Sequence, residues 1–62
     1  MPIVQITLVK GRDRAVVQNC IKQVAQAVAD TLDAPLDSIR VAVTECEPEL
    51  FAVGATLKSE TK

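Results

Sequence analysis

Few residues in this 62-residue chain are equipped for chemistry, and the first of them stands second in the sequence. Loss of Met1 is the usual fate of a Met-Pro start, and it would leave Pro2 as a secondary amine. An α-amino group has a pKa of about 7.7–8.0. Burial and nearby cations push that value lower, giving a free base near neutral pH. Taken alone, Met-Pro reads first as an ordinary terminus. The rest of the inventory is short. Without histidine, no Ser/His/Asp or Cys/His set can form. Gly11 and Gly54 stand alone, so there is no phosphate loop. Cys20 and Cys46 are isolated and in apolar sequence context, which suggests structural thiols rather than a zinc site or a disulfide framework. Glu45, Glu47 and Glu49 read as a solvated edge, and Lys10, Lys22, Lys58 and Lys62 as solvated cations. Arg40 is a charge inside an apolar strand, suited to a ligand or to a structural ion pair. Arg12 is a site residue or a turn residue. Phe51, the only aromatic, is a pocket wall or core.

The elements that must position these residues are legible in the periodicity. Ile3 to Val9, IVQITLV, is a strand with Val4, Ile6 and Leu8 on one face and Ile3, Gln5, Thr7 and Val9 on the other. Lys10-Gly11-Arg12 is its exit turn. Asp13 is placed to cap a helix over Arg14 to Leu32. There Val17, Ile21, Val24, Val28 and Leu32 form an apolar stripe opposite Gln18, Lys22, Gln23, Gln26 and Asp30. Pro35 disfavours helix at Ala34 and stops it. A second strand is expected near Ile39 to Glu45, and the spacing makes a right-handed βαβ unit with parallel strands. Leu50 to Val53 and Thr56 to Lys58 suggest a short hairpin around Gly54.

Size and composition narrow the class further. The chain is one domain, residues 1–62, and a domain this short buries only about 60% of its unfolded surface. Lacking disulfides and metal, it is expected to gain stability by oligomerising. Two strands and one helix leave a sheet face and its edges open, and these should meet other copies. A net charge of −1 and one aromatic residue argue against nucleic-acid binding. No apolar run is long enough to cross a bilayer, and the cytoplasm is the default compartment.

The stretch PIVQITLVKGR, Pro2 to Arg12, resembles the opening of the 4-oxalocrotonate tautomerase (2-hydroxymuconate tautomerase) family. LDAPLDSIRVAVTE, Leu32 to Glu45, resembles its helix exit and second strand, and Phe51-x-x-Gly54 fits its C-terminal segment. The resemblance implies an α+β fold: a βαβ protomer with a short C-terminal hairpin, paired into a four-stranded sheet per dimer and assembled as a homohexamer, a trimer of dimers. It implies Pro2 as the acid/base, Arg12 and Arg40 as substrate-binding arginines, and Phe51 as an apolar wall. It implies unsaturated 2-hydroxy or 2-oxo dicarboxylates as substrates, with no cofactor and no metal. Glu49, Leu50, Ala52 and Ala55 flank Phe51 where the family's tail is richer in glycine. A dehalogenase-like hydrolytic relative and a non-catalytic subunit of a mixed hexamer are the rival readings. The pathway, aromatic catabolism or a biosynthetic branch, is not encoded in these residues.

Geometry adds a constraint. Pro2 to Val9 spans roughly 23 Å of strand, whereas an extended arginine side chain reaches about 7 Å. Arg12 is therefore expected to serve the Pro2 of a neighbouring chain, across a two-fold axis that sets the first strands antiparallel. Arg40 starts the second strand near the Pro2 end, so its chain of origin is open.

Overall fold

The computed structural model describes residues 1–61. Strand β1 (Ile3–Val9) leads through Gly11 into helix α1 (Arg14–Leu32), and a 3-10 turn at Leu36–Ser38 feeds strand β2 (Arg40–Cys46). A second 3-10 turn at Pro48–Leu50 precedes the hairpin β3 (Ala52–Val53) and β4 (Thr56–Leu57), and a third, Lys58–Glu60, follows it. β1 and β2 pair in parallel from Ile3 opposite Arg40 to Val9 opposite Cys46. β3 and β4 pair antiparallel, Ala52 with Leu57 and Val53 with Thr56. The expected β-α-β order and hairpin are both present. The second strand starts one residue later than the periodicity suggests, and Leu50 and Lys58 belong to turns, which shortens the hairpin at both ends.

The local chemistry explains these elements. The Asp13 carboxylate accepts from the Ala15 amide at 3.4 Å, capping the helix start. The helix ends at Asp33 in the left-handed conformation (φ 53°, ψ 46°), its amide bonded back to the Ala29 carbonyl. Pro35 follows within two residues and forbids continuation. Gly11 takes φ 136° and Gly54 φ 62°, each at a point where the chain reverses.

Packing is one-sided. Val17, Ala29 and Ile39 are buried, and Val4, Ile6, Leu8, Val41, Val43, Ile21, Val24 and Val28 are half-buried between helix and sheet. The opposite sheet face, Ile3, Gln5, Thr7, Arg40, Ala42 and Thr44, is exposed. Two details depart from the expected stripe. Leu32 is 62% exposed, because a 19-residue helix at about 1.5 Å per residue overhangs strands of seven. Cys20, expected in apolar surroundings, lies on the outer helix face and is exposed. The protomer is also expanded: its radius of gyration is 14.5 Å, against about 10.6 Å for a compact chain of this length. Its accessible surface of 4835 Å² exceeds the roughly 3,900 Å² of a globular monomer of its mass.

The left-handed cap makes a prediction. A side chain at positive φ costs about 1 kcal/mol or more, and aspartate recovers only part of that. Asp33→Gly raises the urea midpoint at fixed protomer concentration, and Asp33→Val, β-branched at the same φ, lowers it. A fall with glycine would show that the Asp33 conformation carries no strain.

Candidate active site

Pro2 and Arg40 meet at the start of the sheet. The Arg40 amide donates to the Pro2 carbonyl at 3.0 Å, continuing the parallel ladder one step beyond Ile3. Pro2 is half-buried, whereas Met1 ahead of it is 77% exposed and in no regular element. The Arg40 guanidinium belongs to the exposed sheet face. Its Nη1 donates to the Asp37 carbonyl at 2.9 Å and to the Ile39 carbonyl at 3.3 Å. Both acceptors are neutral, and among the described residues no carboxylate lies within salt-bridge distance of it. Carbonyls orient the group without cancelling its charge, which stays available to an anion.

Arg12 lies at the other end of β1. Its Nη1 reaches only its own strand's last carbonyl, that of Val9, at 3.4 Å. It lines a groove of about 550 Å³ between the strand exits and the first turns of α1, floored by Val17, Ile21 and Val43. Phe51 is half-buried and extended (φ −130°, ψ 127°) after the turn that leaves β2. Its carbonyl accepts from the Lys58 amide at 2.7 Å, closing the hairpin base. One protomer thus joins Pro2 to Arg40 and sets Arg12 and the chain leading to Phe51 at the strand exits. The groove at Arg12 does not include Pro2.

Two supporting features escaped the sequence reading. The carbonyl seat of Arg40 is built by the 3-10 turn of Leu36–Ser38, where the Ser38 hydroxyl and amide both bond the Pro35 carbonyl at 2.7 and 3.0 Å. The sequence signal for it is Pro35 followed three residues later by serine, a turn-forming pair as well as a helix stop. Lys10 and Glu47, expected to be solvated singly, form an ion pair at 2.7 Å that ties the β1 exit to the chain beyond β2. The hydrogen bond and charge of Glu47 hold the Lys10 ammonium above the usual lysine pKa. Both groups are about half exposed, so the pair is worth little stability.

Similarity to known proteins agrees with this geometry. A family profile for tautomerase enzymes matches residues 2–61. The 2-hydroxymuconate tautomerase of Pseudomonas putida is 39% identical over 62 residues, 100% of this chain and 98% of the relative. The heterohexameric 4-oxalocrotonate tautomerase of Chloroflexus aurantiacus superposes with a TM-score of 0.93 over 100% of both chains at 26% identity. TomN, a 4-oxalocrotonate tautomerase homologue of the tomaymycin biosynthetic pathway, superposes at 0.91 with 32% identity, covering 95% of this chain and 91% of TomN. With its βαβ core matched in sequence and in structure from end to end, the chain belongs to the tautomerase family and is an isomerase.

Proposed function

We propose that this chain is a cofactor-independent keto–enol tautomerase of unsaturated 2-hydroxy or 2-oxo dicarboxylates, such as 2-hydroxymuconate, with the Pro2 amine as general acid and base. The observation that carries the reading is the register of β1 on β2. It seats Pro2 against Arg40, whose guanidinium is oriented by carbonyls and left without an acid partner. The P. putida relative supports the substrate class. In this reading Met1, exposed ahead of the sheet, is removed. The neutral Pro2 nitrogen takes the proton of the substrate's 2-hydroxyl, and the electron pair moves along the conjugated chain. The resulting ammonium returns a proton to a remote carbon, leaving the 2-oxo isomer and a neutral amine. Arg40 stabilises the charge developing at the 2-oxo acid end. Arg12 holds the distal carboxylate and draws electron density toward it. Phe51 excludes water, which lowers the amine pKa and strengthens both arginine contacts.

This mechanism needs a basic nitrogen at Pro2. Intact mass of the active protein is expected to lack Met1, since a retained Met1 would make that nitrogen a tertiary amide. The base must be unprotonated, so kcat/KM rises with pH through a pKa below that of an ordinary α-amine. Pro2→Ala lowers kcat by about 10²–10⁴-fold. A fully active preparation that keeps Met1 refutes the assignment.

The separation of Pro2 from Arg12 makes each site a shared one. The proposed assembly is a cytoplasmic hexamer, a trimer of dimers, in which neighbouring protomers complete a four-stranded sheet and cover its open face. Each chain would enter it as a single domain. Subunit mixing tests the sharing. Pro2→Ala and Arg12→Ala, each nearly inactive, are unfolded and refolded together. By random assortment roughly a quarter of shared sites would regain both groups. Sites built within one chain regain none, and that result removes Arg12 from the mechanism.

The Chloroflexus relative is a heterohexamer, so a second reading has this chain assembling with a different tautomerase chain. The two readings differ in a measurement on the purified chain alone. A homohexamer sediments as six copies and turns over 2-hydroxymuconate unaided. A chain that needs a partner is smaller or inactive until the partner is added.

A further inference from the structure

A feature of the Arg12 groove is unused by this mechanism. Three of the chain's seven lysines and arginines fall in the five residues from Lys10 to Arg14, although the whole chain has a net charge of −1. Lys10, Arg12 and Arg14 all line the groove. Most of the nearby acids are already engaged. Glu47 is bonded to Lys10 at 2.7 Å, and Glu45, the one acid lining the groove, is close enough to act on the same ammonium. Asp13, between the two arginines, accepts from the Ala15 amide. Among the described residues neither Arg12 nor Arg14 has a carboxylate within salt-bridge distance. Two arginines, two positions apart, thus share the groove lining with the apolar Val17, Ile21 and Val43. The chain is open at Gly11, between Lys10 and Arg12: even a Cβ there would meet nothing within 4 Å.

We infer that Arg14 is a specificity residue: it joins Arg12 on the distal carboxylate of the substrate, and so makes the site discriminate for dicarboxylates over monocarboxylates. The inference rests on the assignment of Arg12 above. A carboxylate has two oxygens and about four acceptor positions, enough for two guanidinium forks. The apolar floor suits the hydrocarbon chain between the two acid groups. It also lowers the local dielectric, which strengthens charge-assisted hydrogen bonds. Arg14 is at the first turn of α1, where the capped backbone fixes its starting point. Its contribution is to the binding of that carboxylate, which a binding measurement reads directly.

Binding of two unreactive acids isolates this role from catalysis. Muconate carries both carboxylates of the conjugated chain; sorbate has a methyl group where the second would be. Titration calorimetry on the assembled wild-type protein is expected to show tighter binding of muconate. Arg14→Ala weakens muconate by about tenfold, the cost of one charge-assisted hydrogen-bond partner, and changes sorbate by less than about twofold. Arg14→Lys recovers part of the loss by keeping the charge without the fork. Lys22→Ala removes the same charge outside the groove and leaves both affinities alone. Muconate binding that is unchanged in Arg14→Ala, or that falls equally with sorbate or in Lys22→Ala, overturns the inference. Full activity in Pro2→Ala would defeat the proposed mechanism instead, and would leave the muconate result standing.

Discussion

The parallel pairing of β1 with β2 is the constraint on which the remainder of the molecule depends. Parallel strands need a crossover, and α1 is that crossover. The register places Arg40 opposite Ile3, and the added bond from the Arg40 amide to the Pro2 carbonyl locks the chain start to it. The same register sends Arg12 and the exit of β2 to the far end of the sheet. A shift of one residue would turn Arg40 from the open face into the helix-covered one, where a guanidinium without a carboxylate would be costly. Alternation of Val41 and Val43 with Arg40 and Ala42 guards against that shift. Packing and the proposed function therefore call for the same register.

The second consequence is an unfinished protomer. Three buried residues among those described are a small core, and the surface is larger than a compact monomer of this mass would show. Ile3 at 63%, Leu50 at 77% and Val53 at 69% exposure lie on the open sheet face or in the C-terminal arm. Covering such surfaces with other copies would stabilise the fold by burial, at about 25 cal/mol per Å² of apolar area. It would also bring a strand exit of one chain to a strand start of another. Stability and the completeness of the proposed site would in this way be coupled through one event, association.

Much of this is readable from residue order alone, and the exceptions have physical causes. The two strands and the helix follow from alternation and from the 3.6-residue stripe, since each element buries one face. The hairpin around Gly54 is shorter than the residue pattern suggests, because Leu50 and Lys58 are claimed by turns whose hydrogen bonds are not encoded in polarity. Leu32 matched the stripe yet lies exposed, because periodicity carries no information on where the covering sheet ends. Pro2, Arg12, Arg40 and Phe51 could be singled out by residue type and family resemblance. Their distribution over two ends of the sheet could be deduced for Arg12 by counting strand residues. The carbonyl seat of Arg40 and the pairing of Lys10 with Glu47 could not, since both depend on contacts between segments set by loops.

The way Arg40 is held bears on the chemistry more than its presence does. A guanidinium oriented by a carboxylate would arrive at a substrate partly neutralised, and binding an anion would mean displacing that partner. Here the Asp37 and Ile39 carbonyls fix the geometry and leave the full charge. A substrate carboxylate would then gain a charge-assisted bond without breaking one. In the proposed mechanism this unneutralised cation would bind the anionic substrate at the end of the sheet where Pro2 lies. In a chain without histidine, the proposed mechanism would draw its base from the terminal amine, at the end of the sheet that this cation occupies.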